Sequence, residues 1–581
     1  MPRRYLLLLT LSLVCYGQTT VGYDRLLNAA KEPQNWLTYG GDYFSHHYSG
    51  LTQITPANVK ALNLAWVYQS PLTGSWESTP LVVDGIMYVT QRPNDIVAMD
   101  AATGRVFWIY HYENAKTVTV CCGANNRGLA ILGDTLYMGT LDAHLVAVNA
   151  RSGMLLWNTK VAESKSGYSI TLAPLAFRDR VLVGLGGGEY GIRGSIAAFN
   201  ARTGKEVWRF YTIPAPGEPG HETWEDCKPG AGYCDPEAWK HGGGSVWVTG
   251  SYDPELNLTY WGIGNVGPDY NADQRPGANL YTGSAVALDA DTGKLRWHYQ
   301  FTPHDRYDFD SVQVPVLADL NWKGAPVKAM MWANRNGNFY VLDRATGKFL
   351  LGKPFVKVNW MSGFDQNGVP IQTPQPPGMP TYPAVQGGSN WYSPSFSPRT
   401  KLMYVSSWED QGQYFAGTPV EYKEGLSFGG GNLAPFVPQP DNPAKAIPGA
   451  PAIPNLRRGP INNWTDAGGH GAVLAIDPLT GAPRWRFKMY DVTDTGIVTT
   501  ASDLLFTGGR EGYLQALDAR TGALLWRRNL GAQMLNNPIT YSVNGRQYVA
   551  AMAGLSLFAF ALPDRSIFFA IAATPPLAAW E

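Results

Sequence analysis

The 581-residue chain carries 46 basic and 46 acidic residues, for a formal net charge of zero, and only 16% of it is charged against a usual value of about 25%. With no long run of like charge, it lacks the electrostatic footprint of a nucleic-acid or anionic-membrane binder. Its 64 glycines, 42 prolines and 20 tryptophans describe a rigid, turn-rich β protein and exclude a helical or disordered one.

At the start, Met1-Pro-Arg-Arg-Tyr5 precedes an apolar run over residues 6–14 and then small or polar residues. This is the plan of a secretory signal peptide. We expect residues 1–22 to be a signal and the mature protein, 23–581, to be exported as one domain. No later stretch of about 18 apolar residues suggests a membrane span. Cys15 follows Ser12-Leu13-Val14, a poor match to a lipidation box. Setting it aside leaves Cys121, Cys122, Cys227 and Cys234, an even number that suggests two disulfides in an oxidising compartment. Cys227 and Cys234 close a short Gly/Pro-rich loop and read as a structural staple. Cys121 and Cys122 are adjacent, and their spacing leaves two options open: a bridge through a strained eight-membered ring, or two unbridged neighbours.

The main organisation is an internal repeat. Ala98-Met-Asp-Ala-Ala-Thr-Gly-Arg-Val-Phe-Trp108 recurs at 147–157, 198–208, 287–297, 475–485 and 516–526. A weakened copy at 341–351 has Leu351 in place of Trp. Each copy reads as a strand, a tight turn at Thr-Gly or Ser-Gly, and a second strand ending at the Trp. Further strand-like runs lie between copies, and the first three Trp are 49 and 51 residues apart, which fits one four-stranded sheet per repeat. Sheets that repeat at this period and cannot bury their faces alone pack radially, so the expected fold is an all-β, eight-bladed propeller, with Trp66 as a remnant of the eighth unit. Segments near 214–244, 363–383 and 435–460 read as loop insertions. Long loops at one end of a rigid scaffold are where a site is expected.

Several chemistries are excluded. Gly186-Gly-Gly-Glu-Tyr-Gly191 satisfies Gly-x-Gly-x-x-Gly, but a strand-like repeat follows where a dinucleotide fold needs a helix. No Cys-x-x-Cys-His haem signature and no zinc pattern occur, and the nine histidines are scattered. What stands out is His304-Asp-Arg-Tyr-Asp-Phe-Asp310, three carboxylates and a histidine in seven residues of a charge-poor chain. If extended, it would point Asp308 and Asp310 to one side, where two close carboxylates suit a hard cation or a proton-transfer pair.

Adjacent Cys121 and Cys122 with Arg127, the Gly-Gly-Gly-Glu189 loop, Gly264-Asn265, the His304 to Asp310 stretch and the Trp-ending repeats occur together, in this order, in a pattern that resembles the quinoprotein alcohol dehydrogenases. These are periplasmic methanol and ethanol dehydrogenases that use pyrroloquinoline quinone (PQQ). The resemblance spans nearly the whole mature chain. It implies a periplasmic enzyme that oxidises a small primary alcohol to an aldehyde, with the cofactor near the propeller axis. It further implies one metal ion held by Glu189, Asn265 and Asp308, with Asp310 as the extra carboxylate of the lanthanide-using branch, so a lanthanide is favoured over calcium. Trp247 would stack on one face of the quinone and a Cys121–Cys122 disulfide would cap the other. Glu77, Arg127, Thr171, Gly187, Gly188, Ser245, Arg335 and Asn390 would bind its polar edge, with Asp308 as general base and Arg335 beside the reactive carbonyl. A soluble cytochrome c would take the electrons, and a homodimer is compatible with the family.

The chain departs from the family where substrate enters. Ser311-Val312-Gln313 follows Asp310 in place of the usual Gly and polar residue, and no Trp occurs around Thr493-Asp-Thr-Gly496. The substrate therefore stays open. Two alternatives are a sugar or polyol dehydrogenase of the same fold and a noncatalytic envelope propeller scaffold.

Overall fold

The computed structural model describes residues 20–72, 74, 76–116, 118–224, 236–376, 379–436, 470–489 and 491–564. Cys227, Cys234, nearly all of the expected signal and most of the 435–460 insertion lie outside these residues. Val21, which a boundary at residue 22 would assign to the signal, is fully buried, and its backbone is bonded to Gly133 in both directions.

Among the described residues the scaffold is eight blades: seven sheets of four antiparallel strands, and an eighth to which Tyr48–Ser49 adds a parallel fifth strand. The blade Leu81–Val83, Ile86–Gln91, Asp95–Asp100, Val106–Tyr110 is typical. Its third strand is buried along nearly its whole length, whereas its outer strand alternates between intermediate and exposed positions. That is the period-2 pattern of a strand with one face on solvent. The last blade is built from both ends of the chain: Asn63–Gln69 pairs along Ser556–Ala561, next to Arg546–Ala553 and Ile539–Val543. This closure removes the open sheet edges that a linear stack would leave.

The repeat motif is the joint between blades. The indole N–H of Trp66 donates to the Ala101 carbonyl at 3.1 Å, that of Trp157 to Ala201 at 3.2 Å, Trp297 to Arg344 at 3.1 Å and Trp485 to Ala519 at 3.1 Å. Each ring lies on the turn glycine of the next blade. A Cβ on Gly104, Gly204, Gly293 or Gly347 would come within 2.4–2.7 Å of a Trp ring atom. Those glycines have φ of 67–75°, a left-handed turn that side chains also disfavour. In the weakened copy Leu351 fills the same place against Gly481. The motif Asp caps its own turn: Asp100 Oδ1 accepts from the amides of Ala102 and Thr103.

Of the expected insertions, 363–383 includes part of a hairpin, Met361–Phe364 with Pro370–Gln372. A second hairpin, Gly412–Gly417 with Gly431–Phe436, begins well before residue 435. Because strands in a blade alternate in direction, the start of the first strand and the end of the second lie at the same end of the propeller. Glu77, Arg127, Thr171, Trp247, Asp308 and Asn390 each precede a first strand. Glu189, Asn265 and Arg335 each follow a second strand. Topology thus gathers them at one mouth.

Candidate active site

The 304–310 stretch is not extended. Asp305 accepts the amides of Tyr307 at 2.9 Å and Phe309 at 2.7 Å, winding the chain into a turn that holds Asp308 at φ +59°. A left-handed residue without glycine costs about 1–2 kcal/mol, which the buried turn sustains. His304 points away, its Nδ1 2.8 Å from the Gly277 carbonyl, and plays a structural part.

Asp308 and Asp310 nevertheless converge, because Arg335 reaches both. Its Nη2 lies 3.1 Å from Asp308 Oδ2, and its Nη1 donates to Asp310 Oδ2. Its Nε donates to the Val385 carbonyl at 2.6 Å, which fixes the fork. Asp310 Oδ1 accepts the Asn265 amide at 2.7 Å, and the Trp247 indole N–H approaches the same carboxylate. Burial pushes the Asp308 carboxyl well above the usual range and that of Asp310 upward; Arg335 opposes both shifts.

Glu189 stands on the Gly188–Tyr190 turn, whose backbone is pinned where the Phe428 amide donates to the Glu189 carbonyl at 2.7 Å. A Cβ on Gly188 would lie 2.6 Å from Asn265 Oδ1 and 3.1 Å from Ser245 Oγ; one on Gly264 would lie 2.4 Å from Asp310 Oδ1. Glycine is required at both places for these donors to approach. The arrangement presents carboxylate and amide oxygens near the Arg335 guanidinium, a donor set that suits a hard, highly charged cation.

Beside it gather groups whose chemistry suits a flat, anionic molecule. Cys121 and Cys122 are disulfide-bonded, which closes the option left open by their spacing. Their sulfurs and a Glu189 carboxylate oxygen all lie within 4.8 Å of one another. Three ligand-type residues in that cluster do not make a metal site, since disulfide sulfur offers no thiolate. Arg127 lies 4.8 Å from the Trp247 ring and 4.9 Å from Trp391. It pairs with Glu77 at 2.8 Å and donates to Thr171 Oγ1 at 3.0 Å. Asn390 sits on the loop after Val385; its amide bonds Gln386 and Trp391, so it shapes the loop that carries Trp391. Aromatic planes, a cation and hydroxyls converge here as a planar polycarboxylate requires.

Sequence reasoning missed Asp269, Tyr270, Arg275 and Trp391, and gave Asp305 no separate role. Tyr270 Oη lies 3.3 Å from Asp308 Oδ2, and Asp269 Oδ1 accepts from Asn265 Nδ2 at 2.8 Å. Arg275, 1% exposed, donates to the carbonyls of Pro268, Asp269 and Asp305, tying together the two segments that supply the cluster. The only signal was a lone Pro268-Asp-Tyr270 just after Asn265. Ser311 accepts from Asn334 Nδ2 at 3.0 Å, while Gln313 links the Asp310 carbonyl to the Trp332 indole, so the departures after Asp310 serve its support.

A family model described as glucose/ethanol/alcohol dehydrogenase, beta-propeller domain, matches residues 36–359, and one for the outer membrane protein assembly factor BamB matches 469–567. The quinoprotein alcohol dehydrogenase PedH of Pseudomonas putida is 36% identical over 95% of this chain and 92% of its own length. The quinohemoprotein alcohol dehydrogenase ADH IIB of the same species is 37% identical over 89% of this chain and 73% of its own. A solved europium-containing methanol dehydrogenase superposes with a TM-score of 0.82 at 31% identity, covering 93% of this chain and all of that one.

Proposed function

From the premise that the chain belongs to the PQQ-dependent alcohol dehydrogenase family, we propose that it oxidises a small primary alcohol to an aldehyde in the periplasm, with PQQ and one metal ion. The observation that carries this reading is the convergence of Asp308, Asp310 and Asn265 on Arg335 and the Glu189 loop. Glu189, Asn265, Asp308 and Asp310 would hold the ion. Trp247 and the Cys121–Cys122 disulfide would face the quinone, with Glu77, Arg127, Thr171, Ser245, Asn390 and the amides of Gly187 and Gly188 along its edge. When bound, the quinone supplies a two-electron oxidant and the ion a Lewis acid.

The protein's own part is positioning and proton handling. Asp308 Oδ2, which Arg335 and Tyr270 reach, takes the hydroxyl proton of the alcohol. Arg335 Nη2 and Tyr270 Oη hold that oxygen in place, and the guanidinium balances negative charge arising beside it. The ion we favour is a lanthanide, since Asp310 adds a carboxylate that a trivalent charge uses better than a divalent one. We assign electron acceptance to a soluble cytochrome c, the acceptor that the family resemblance implies. A sugar or polyol dehydrogenase remains the second reading, supported by the departures at Ser311 to Gln313.

The test is reconstitution of purified protein with PQQ and either calcium or lanthanum, assayed by dye reduction over a panel of alcohols and sugars. Turnover with primary alcohols, greater with lanthanum and sensitive to Asp310→Ala, is expected. No turnover with either ion sinks the proposal, and turnover on sugars alone moves it to the second reading.

A further inference from the structure

Asp269 is 3% exposed and Asn265 is 2% exposed, so the 2.8 Å bond between Asn265 Nδ2 and Asp269 Oδ1 is sealed from water. A carboxylate only accepts, so it dictates which end of the Asn265 amide faces it. The nitrogen turns to Asp269, and the oxygen is left facing the Gly188 turn that carries Glu189, 2.6 Å from where a Gly188 Cβ would stand. The Asn265 backbone is gripped separately, its N–H bonded to Asp310 Oδ1 at 2.7 Å. Asp269 is itself anchored, since Arg275 Nη2 donates to its carbonyl at 3.1 Å and Nε to the Pro268 carbonyl at 3.0 Å.

A second feature is charge. Asp269 is joined through Asn265 to Asp310, so a further buried acid stands beside the Asp308–Asp310 pair. Arg335 pairs with Asp308 and Asp310. A buried carboxylate among like charges is a liability for folding alone. A cation beside Asn265 Oδ1 would offset that cost.

We propose that Asp269 is a positioning residue of the metal site: it locks the Asn265 amide with Oδ1 toward the ion and adds a further negative charge that favours a trivalent over a divalent ion. This rests on the metal reading given above. Partners that orient a metal ligand typically contribute 10–100-fold to affinity. Because ion–carboxylate energy scales with ion charge, a charge loss that weakens calcium tenfold should weaken lanthanum about thirtyfold.

The experiment titrates lanthanum and calcium separately into the PQQ-loaded full chain by calorimetry, for wild type, Asp269→Asn and Asp269→Ala. Asp269→Asn keeps an acceptor for Asn265 but removes the charge, so it should bind both ions more weakly and show a lower lanthanum-to-calcium affinity ratio. Asp269→Ala should be weaker still for both, because the amide is released. Wild-type binding with both variants within twofold of it overturns the proposal and leaves the metal reading standing. An equal loss for the two ions in both variants also overturns it, since that is what general loosening of the site would give. Absence of binding by the wild type refutes the metal reading and this inference with it.

Discussion

Arg335 should be the most costly single side chain to lose from the site. It serves two buried carboxylates, Asp308 Oδ2 at 3.1 Å from Nη2 and Asp310 Oδ2 at Nη1, with side chains of 12% and 6% exposure. At an effective dielectric of about 20, a unit pair at that separation is worth roughly 5 kcal/mol. Breaking a buried pair by removing one partner costs about 3–5 kcal/mol, because the orphaned charge stays buried. Arg335→Ala in the metal-free protein should therefore lower the free energy of unfolding by about 3–5 kcal/mol, read from urea denaturation. A saturating metal ion should recover part of that loss by supplying replacement positive charge. Turnover should fall about 100- to 1,000-fold, the usual cost of removing one preorganised donor from a reacting centre. Arg335→Lys separates the two effects. One ammonium cannot span both carboxylates and the Val385 carbonyl, so stability should be partly restored while turnover stays low. Alanine and wild-type proteins of equal stability, or a lysine variant with wild-type turnover, would refute the reasoning.

Gly188→Ala places a methyl group 2.6 Å from Asn265 Oδ1, and displacing that ligand by a few tenths of an ångström should weaken metal binding at least tenfold with little change in the melting curve. The fully buried Asp305 carboxyl is pushed up to about 6, mainly by burial. Its folded-state proton affinity exceeds the unfolded one, so its contribution to stability is complete below about pH 4 and lost as pH rises through about 6. The metal-free protein should accordingly lose on the order of 3 kcal/mol over that window, and Asp305→Asn should flatten the profile. The Cys121–Cys122 bridge closes no chain loop, so Cys121→Ser with Cys122→Ser should shift unfolding by less than about 1 kcal/mol. The same pair of changes should weaken PQQ binding, seen by fluorescence or absorbance titration; unchanged affinity would remove the disulfide from the site. Trp208→Ala should cost about 3–5 kcal/mol, since the indole bridges two blades and bonds the Ala290 carbonyl at 3.3 Å.

The repeats were legible because a blade is local. Each Ala-x-Asp-x-x-Thr-Gly-x-x-x-Trp unit contains its strands, its Asp-capped turn and the glycine that receives a neighbour's Trp, so residue order alone implied eight blades. The candidate site was legible to the degree that its residues stand in motifs: Glu189 among glycines, Asn265 after Gly264, and Asp308 and Asp310 two apart. Tertiary structure decided the rest, because closing a ring brings together residues that order keeps apart. Arg335 joins Asp308 to Asp310 across 25 or more positions. The turn that Asp305 winds aims the two aspartates where an extended strand would not. Asp269, an ordinary loop acid by sequence, enters the cluster because its segment folds back beneath Asn265. Its charge acquires meaning only when burial removes the water that would have screened it.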